Sequence, residues 1–156
     1  MSPLETFLLR GFIWIALAAY VAAWECRWRG GEAGFRAWWT LACVAYLAHV
    51  VVAFHAFHHW SHDHAVAHTQ EQSGFGQGVW VSYLFTLLWP IEVAACWLTP
   101  DRRLPGWLER TWHGFMAFLL FNGAVVFAHG ASFVFGVVAF GVLFALWANG
   151  KRKVPV

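Results

Sequence analysis

The chain has 156 residues, of which 60% are hydrophobic and only 12% are charged. A soluble domain carries charge on roughly a quarter of its residues, so this composition excludes an ordinary soluble protein and indicates a membrane protein. The net charge is only +2, and the basic residues lie in short clusters beside apolar stretches, so no nucleic-acid partner is expected. We predict a single integral membrane domain over residues 1–156 that contacts the lipid bilayer.

Five apolar stretches are long enough to cross a hydrocarbon core of about 30 Å as helices. They cover approximately residues 4–24, 37–57, 79–98, 111–128 and 131–148. A cleaved signal peptide is the competing interpretation of the first stretch, but cleavage near Ala23 would leave basic residues 27–36 outside. Ser61 as a helix cap and the breaker Gly74–Gly78 predict a short helix from His62 to about Gln72. The predicted fold is all-α, a multi-pass bundle of five transmembrane helices with a short outer-face helix.

The charge distribution predicts the orientation of this bundle. Nine of the ten Lys and Arg residues lie in the two basic connections and the C-terminal tail, and the other side holds only Arg10. The positive-inside rule makes the side with nine basic residues cytoplasmic. The N-terminus and the histidine-rich loop are then outside, the C-terminus is cytoplasmic, and in a bacterium the protein would lie in the plasma (inner) membrane.

Seven of the nine histidines lie between Ala48 and Thr69. Four follow the spacing H-x-x-H-H-x-x-H, which places them within roughly a 100° arc if the second span stays helical past the membrane. His64 and His68 form an i, i+4 pair on the short helix. His129, outside this segment, is expected to reach the same face from the turn between the fourth and fifth spans. Imidazole is the commonest protein ligand for transition metals. The sequence therefore predicts a metal site at the outer face, with ligands drawn from His55, His58, His59, His62, His64, His68 and His129.

The ligand set is rich in nitrogen and contains no Cys, which suits Zn, Cu or non-haem Fe and argues against an iron–sulfur cluster or a calcium site. Asp63 and His49 are candidates for an outer shell or a proton relay. Glu92, inside the third span, is a functional candidate because a carboxylate at that depth is costly. Its expected partner is His113, near the cytoplasmic start of the fourth span.

The H-x-x-H-H spacing of His55, His58 and His59 resembles one of the histidine boxes of membrane fatty-acid desaturases and hydroxylases. Those enzymes are di-iron proteins with three such boxes, which usually face the cytoplasm. This chain has one box, on the predicted outer side, and is short for that family. The activity of the family is therefore not carried over to it.

Three functions remain open from the sequence. The first is a membrane metalloprotein, with metal-dependent oxidation or hydrolysis as its enzymatic form. The second is a b-type cytochrome that holds haem b between His55 or His49 and His129. The third is non-enzymatic, either metal handling and transport or an accessory subunit of a larger membrane complex, and a homo-oligomer is also open. A pH-sensing cluster or a passive surface is the alternative to metal binding.

Overall fold

The computed structural model describes residues 2–99 and 105–151, with Gly150 and Lys151 as backbone alone. These residues form six α-helices and no strand, which confirms the all-α fold. The helices are α1 (Pro3–Trp28), α2 (Glu32–Ala53), α3 (His62–Ser73), α4 (Val79–Leu98), α5 (Gly106–Phe121) and α6 (Ala131–Lys151). Single π-helical turns follow α2 at Phe54–His58 and α5 at Asn122–Val126, and a 3₁₀ turn at Gly76–Gly78 precedes α4.

Four stretches of the described residues are long and apolar enough to cross a membrane: Pro3–Trp28, Glu32–Ala56, Gly76–Leu98 and Ala131–Asn149. They correspond to four of the five spans predicted from the sequence. The remaining predicted span, 111–128, is not among them; α5 has only 16 residues and gives way to a π-helical turn at Asn122. The helices fit a membrane-embedded protein with at least four candidate spans.

Small residues allow α1 and α2 to pack closely along their length. Ala16, Ala19 and Ala23 on α1 and Ala42 and Ala45 on α2 are all buried. Without a hydrophobic driving force in lipid, close approach of small residues is a main source of helix association. The two helices form the central pair of the bundle; α4 packs on α2, and α6 packs on α1 and on the π-helical turn after α5.

Contacts between helices define two different ends of the bundle. At one end, called here the histidine end, the Nδ1 atom of His49 lies 2.9 Å from the backbone oxygen of Leu9, and α3 packs beside the start of α4. At the other, called here the arginine end, Arg27 at the end of α1 forms an ion pair with Glu109 at the start of α5. The antiparallel order of α1 and α2 therefore brings the start of α1 and the histidine-rich segment to the same end.

Candidate metal centre

The histidine-rich segment leaves α2 through an irregular turn and not through a continued α-helix. After the π-helical turn Phe54–His58, His59 and Trp60 both adopt positive φ angles, 47° and 60°. Such angles are uncommon for residues other than Gly, and π-helical turns are frequent at functional sites. The continuous arc expected for His55, His58, His59 and His62 is therefore not formed, because the helix ends before its last two members.

Helix α3 begins immediately after this turn and folds back toward it. The Ser61 hydroxyl accepts a hydrogen bond from the backbone N–H of His64 at 3.4 Å, which confirms the predicted cap. The helix ends at Gly74, whose φ of 73° suits glycine. The predicted helix, His62 to about Gln72, differs from the observed one by a single residue.

The reversal brings four imidazoles together in two pairs. The ring centres of His58 and His68 are 5.4 Å apart, and those of His59 and His64 are 6.1 Å apart. The ring of Phe57 stacks on His68 at 5.6 Å and supports one side of the first pair. We call His58, His59, His64 and His68 the histidine cluster.

The surroundings of His58 favour its neutral imidazole. Partial burial lowers the pKa of His58 below its usual value, and the neighbouring rings of His68, His64 and His59 lower it further. The Nδ1 atom of His58 is buried and has no hydrogen-bond partner among the described residues. A neutral imidazole is the form that binds metal ions, so this environment favours the ligand state.

The separations within each pair resemble those of two imidazoles on one ion. A zinc ion lies about 2.0–2.1 Å from a ligating nitrogen, which puts two ring centres about 5 Å apart at a tetrahedral angle. The pair of His58 and His68 is close to that spacing, and His59 and His64 require a shift of about 1 Å. No group of three or more His, Cys, Asp or Glu side chains within residues 2–99 and 105–151 is already arranged around a metal position.

Two predicted ligands at the histidine end have other partners. The Nε2 atom of His55 lies 3.9 Å from a carboxylate oxygen of Glu5 on α1. His62 is hydrogen-bonded through Nδ1 to the hydroxyl of Tyr83 at 3.1 Å, and its ring lies 5.1 Å from that of Trp80. Neither Glu5 nor Tyr83 is among the site residues predicted from the sequence. The position of Tyr83 near the start of a span was an available signal, because Tyr collects at membrane boundaries.

His129 precedes α6 and has no hydrogen bond or ring contact in the part of the chain that the structure describes. Three residues later, Ser132 accepts a hydrogen bond from Trp14 of α1 at 3.4 Å, so the start of α6 lies beside α1. Neither Asp63 nor His49 contacts a ring of the histidine cluster among the described residues. The exposed Asp63 lies in the first turn of α3, and His49 is held at Leu9 between α1 and α2.

Glu92 and His113 form a second polar centre toward the arginine end. The Nε2 atom of His113 lies 3.8 Å from a carboxylate oxygen of Glu92, the partner expected from the sequence. The other carboxylate oxygen accepts a hydrogen bond from Trp39 at 3.2 Å. Glu92 lies nine residues after Tyr83 on α4, a rise of roughly 13 Å, so this centre is separate from the histidine cluster.

Comparison with known proteins finds no family model, curated protein or solved structure that matches this chain.

Proposed function

We propose that the chain is an integral membrane protein with five membrane crossings whose histidine cluster binds a transition metal ion, Zn, Cu or Fe. The fifth crossing would combine α5, of 16 residues, with the 5-residue π-helical turn that follows it. At 1.5 Å per residue these 21 residues reach about 30 Å. Two of the three ionisable groups in the first half of this segment have partners, since Glu109 pairs with Arg27 and His113 faces Glu92, and the third, Arg110, lies in the first turns of α5 at the arginine end. Such pairing is how membrane helices accommodate ionisable groups.

Under this proposal the histidine end faces the non-cytoplasmic side. Arg27 and Arg29 lie at the end of α1, and Arg110 lies at the start of α5, all at the arginine end. Arg10 is the one basic residue of the sequence that belongs with the other side. The positive-inside rule then assigns the arginine end to the cytoplasm.

The spacing of the two imidazole pairs carries the metal proposal. Four imidazoles lie in two close pairs within 11 residues of sequence, and no Lys or Arg lies between His58 and His68 to repel a cation. Two imidazoles per ion leave coordination positions for water or dioxygen, so hydrolysis or oxidation is the chemistry that such a centre would support. Exposed Asp63 and Glu71 on the same helix are additional oxygen ligands within the segment.

Metal analysis of the purified protein tests this proposal. The protein is loaded with Zn²⁺, Cu²⁺ or Fe²⁺ in turn, freed of excess ion and assayed for bound metal per chain. We expect stoichiometric retention of at least one ion, and loss of it in the double variant His58→Ala/His68→Ala or His59→Ala/His64→Ala. The double variant His55→Ala/His62→Ala removes the same number of imidazoles from the same end but leaves the cluster intact, so it should retain metal.

Two outcomes would contradict the proposal. One is wild-type protein that retains no metal after loading. The other is equal loss from the cluster variants and from the His55→Ala/His62→Ala control. The variant His129→Ala tests the wider ligand set, since the structure gives this residue no contact with the cluster. A Soret band in the visible spectrum of the same sample would instead support haem b.

A further inference from the structure

A cavity of about 360 Å³ lies between α1, α5 and α6, toward the arginine end. Ligand pockets in proteins begin at about 300 Å³, so a molecule of moderate size fits. The walls are mostly aromatic, and His113 and Tyr20 are their polar side chains. The main contributors are Trp24 and Trp28 of α1, His113 and Ala117 of α5, and Phe144 and Trp147 of α6.

The cavity opens toward the surface that the bilayer covers. Phe144 and Trp147 at its edge are exposed, with 66% and 42% of their surface accessible. Both belong to α6, one of the four stretches long and apolar enough to span a membrane. A molecule therefore enters from the lipid phase, where hydrocarbon chains surround the helix.

Basic residues from separate helices lie one turn or less beyond the cavity. Arg29 directly follows Trp28, and its side chain is 76% exposed with one ion pair, to Glu25 at 2.8 Å. Arg110 lies one turn before His113 on the same face of α5 and has no ion pair within residues 2–99 and 105–151. The apolar cavity thus adjoins a basic rim at the boundary of the predicted span.

We propose that this cavity binds an acyl chain of an anionic phospholipid whose phosphate contacts Arg29 and Arg110. The aromatic walls of the cavity contact the hydrocarbon chain, and the basic rim binds the phosphate headgroup. Basic pockets between membrane helices on the cytoplasmic side bind anionic headgroups in this way. The proposal rests on insertion of the chain in a membrane and is independent of the histidine cluster, which lies at the other end.

Native mass spectrometry of the full-length protein tests the proposal directly. The protein is incubated in detergent with phosphatidylglycerol or with phosphatidylcholine of the same acyl chains, and retained lipid is counted. We expect wild-type protein to retain phosphatidylglycerol preferentially. Arg110→Gln should lower that preference about fivefold, the factor that corresponds to ~1 kcal/mol per basic residue near an anionic headgroup. Arg10→Gln makes the same charge change at the histidine end and should leave the preference unchanged.

Filling the cavity separates the contribution of the lipid's acyl chain to binding from that of its headgroup. Ala117→Phe places a ring inside the cavity and should abolish retention of both lipids, whereas Ala145→Phe adds the same ring at an exposed position of α6 and should not. Circular dichroism tests whether Ala117→Phe is folded. If this variant is not folded, the comparison of Arg110→Gln with Arg10→Gln decides whether the lipid binds. Equal retention of the two lipids by wild type, or equal effects of a variant and its control, would overturn the proposal.

Discussion

Gly136 in α6 is the glycine at which the bundle is most sensitive to an added methyl group. A Cβ atom there would overlap the carbonyl oxygen of Ala124 and lie 2.8 Å from its carbonyl carbon. The opposing atoms are backbone atoms of the π-helical turn Asn122–Val126, so no flexible side chain can move aside. To accept alanine, α6 or this turn must shift by roughly 1 Å, and overpacking of this kind costs ~1–3 kcal/mol.

The same helix supplies a matched control for this substitution. Gly141 has no described heavy atom outside its own helix within 4 Å of an added Cβ, so Gly141→Ala changes helix propensity without a clash. Alanine is favoured over glycine inside a helix by about 1 kcal/mol. We therefore expect Gly141→Ala to be neutral or stabilising, and Gly136→Ala to be less stable than Gly141→Ala by about 1–3 kcal/mol, the overpacking cost, because the gain in helix propensity is common to both.

Chemical unfolding in detergent, followed by the loss of helical circular dichroism, measures this difference. Both variants are compared with wild type in the same detergent, so that micelle effects cancel. Equal stability of the two variants would refute the close approach of α6 to Ala124. A shift of both variants in the destabilising direction would show instead that glycine flexibility in α6 matters more than packing.

Three further predictions concern the histidine cluster. Metal retention should fall as the pH decreases below about 6.5, because protons compete with the metal for the imidazoles. In the metal-free protein the pKa of His58 is lower in the folded than in the unfolded chain, so the unfolded chain binds the proton first and the free energy of unfolding should also decrease below that pH. Unfolding experiments at several pH values should show a flatter pH dependence for His58→Asn than for wild type. Ser61→Ala should weaken metal affinity by up to about fivefold, the factor for ~1 kcal/mol of lost helix capping. Ser61→Asp retains a capping side chain and should bind nearly as well in the same titration, so equal weakening in both variants would exclude capping as the cause.

The polar residues at the ends of elements made much of the fold predictable. Ser61 and Gly74 marked both ends of α3, and the predicted third span, 79–98, coincides with α4. The first two helices are longer than their predicted spans, since α1 continues to Trp28 and α2 begins at Glu32. Hydropathy reports the apolar part of a helix, whereas the helix itself continues until Gly30 adopts a positive φ of 77° and reverses the chain.

The shape of the candidate metal centre was less accessible from the sequence. Helical spacing grouped His55 with His58 and His59, but the π-helical turn and the positive φ angles at His59 and Trp60 redirect the rings. No propensity rule predicts two consecutive left-handed residues without glycine, because tertiary packing overrides local preference there. The pairing of Glu92 with His113 was predictable, since a carboxylate within a span requires a partner and few candidates exist.

The two polar centres depend on the fold in different ways. The histidine cluster is built from residues 58–68, so one turn and one capped helix suffice to bring its rings together. The centre at Glu92 requires three helices to meet, because Trp39, Glu92 and His113 come from α2, α4 and α5. Loosening the bundle should therefore separate Glu92 from His113 before it disperses the cluster. Metal binding at the cluster would then depend more on the order of α3 than on the packing of the membrane helices.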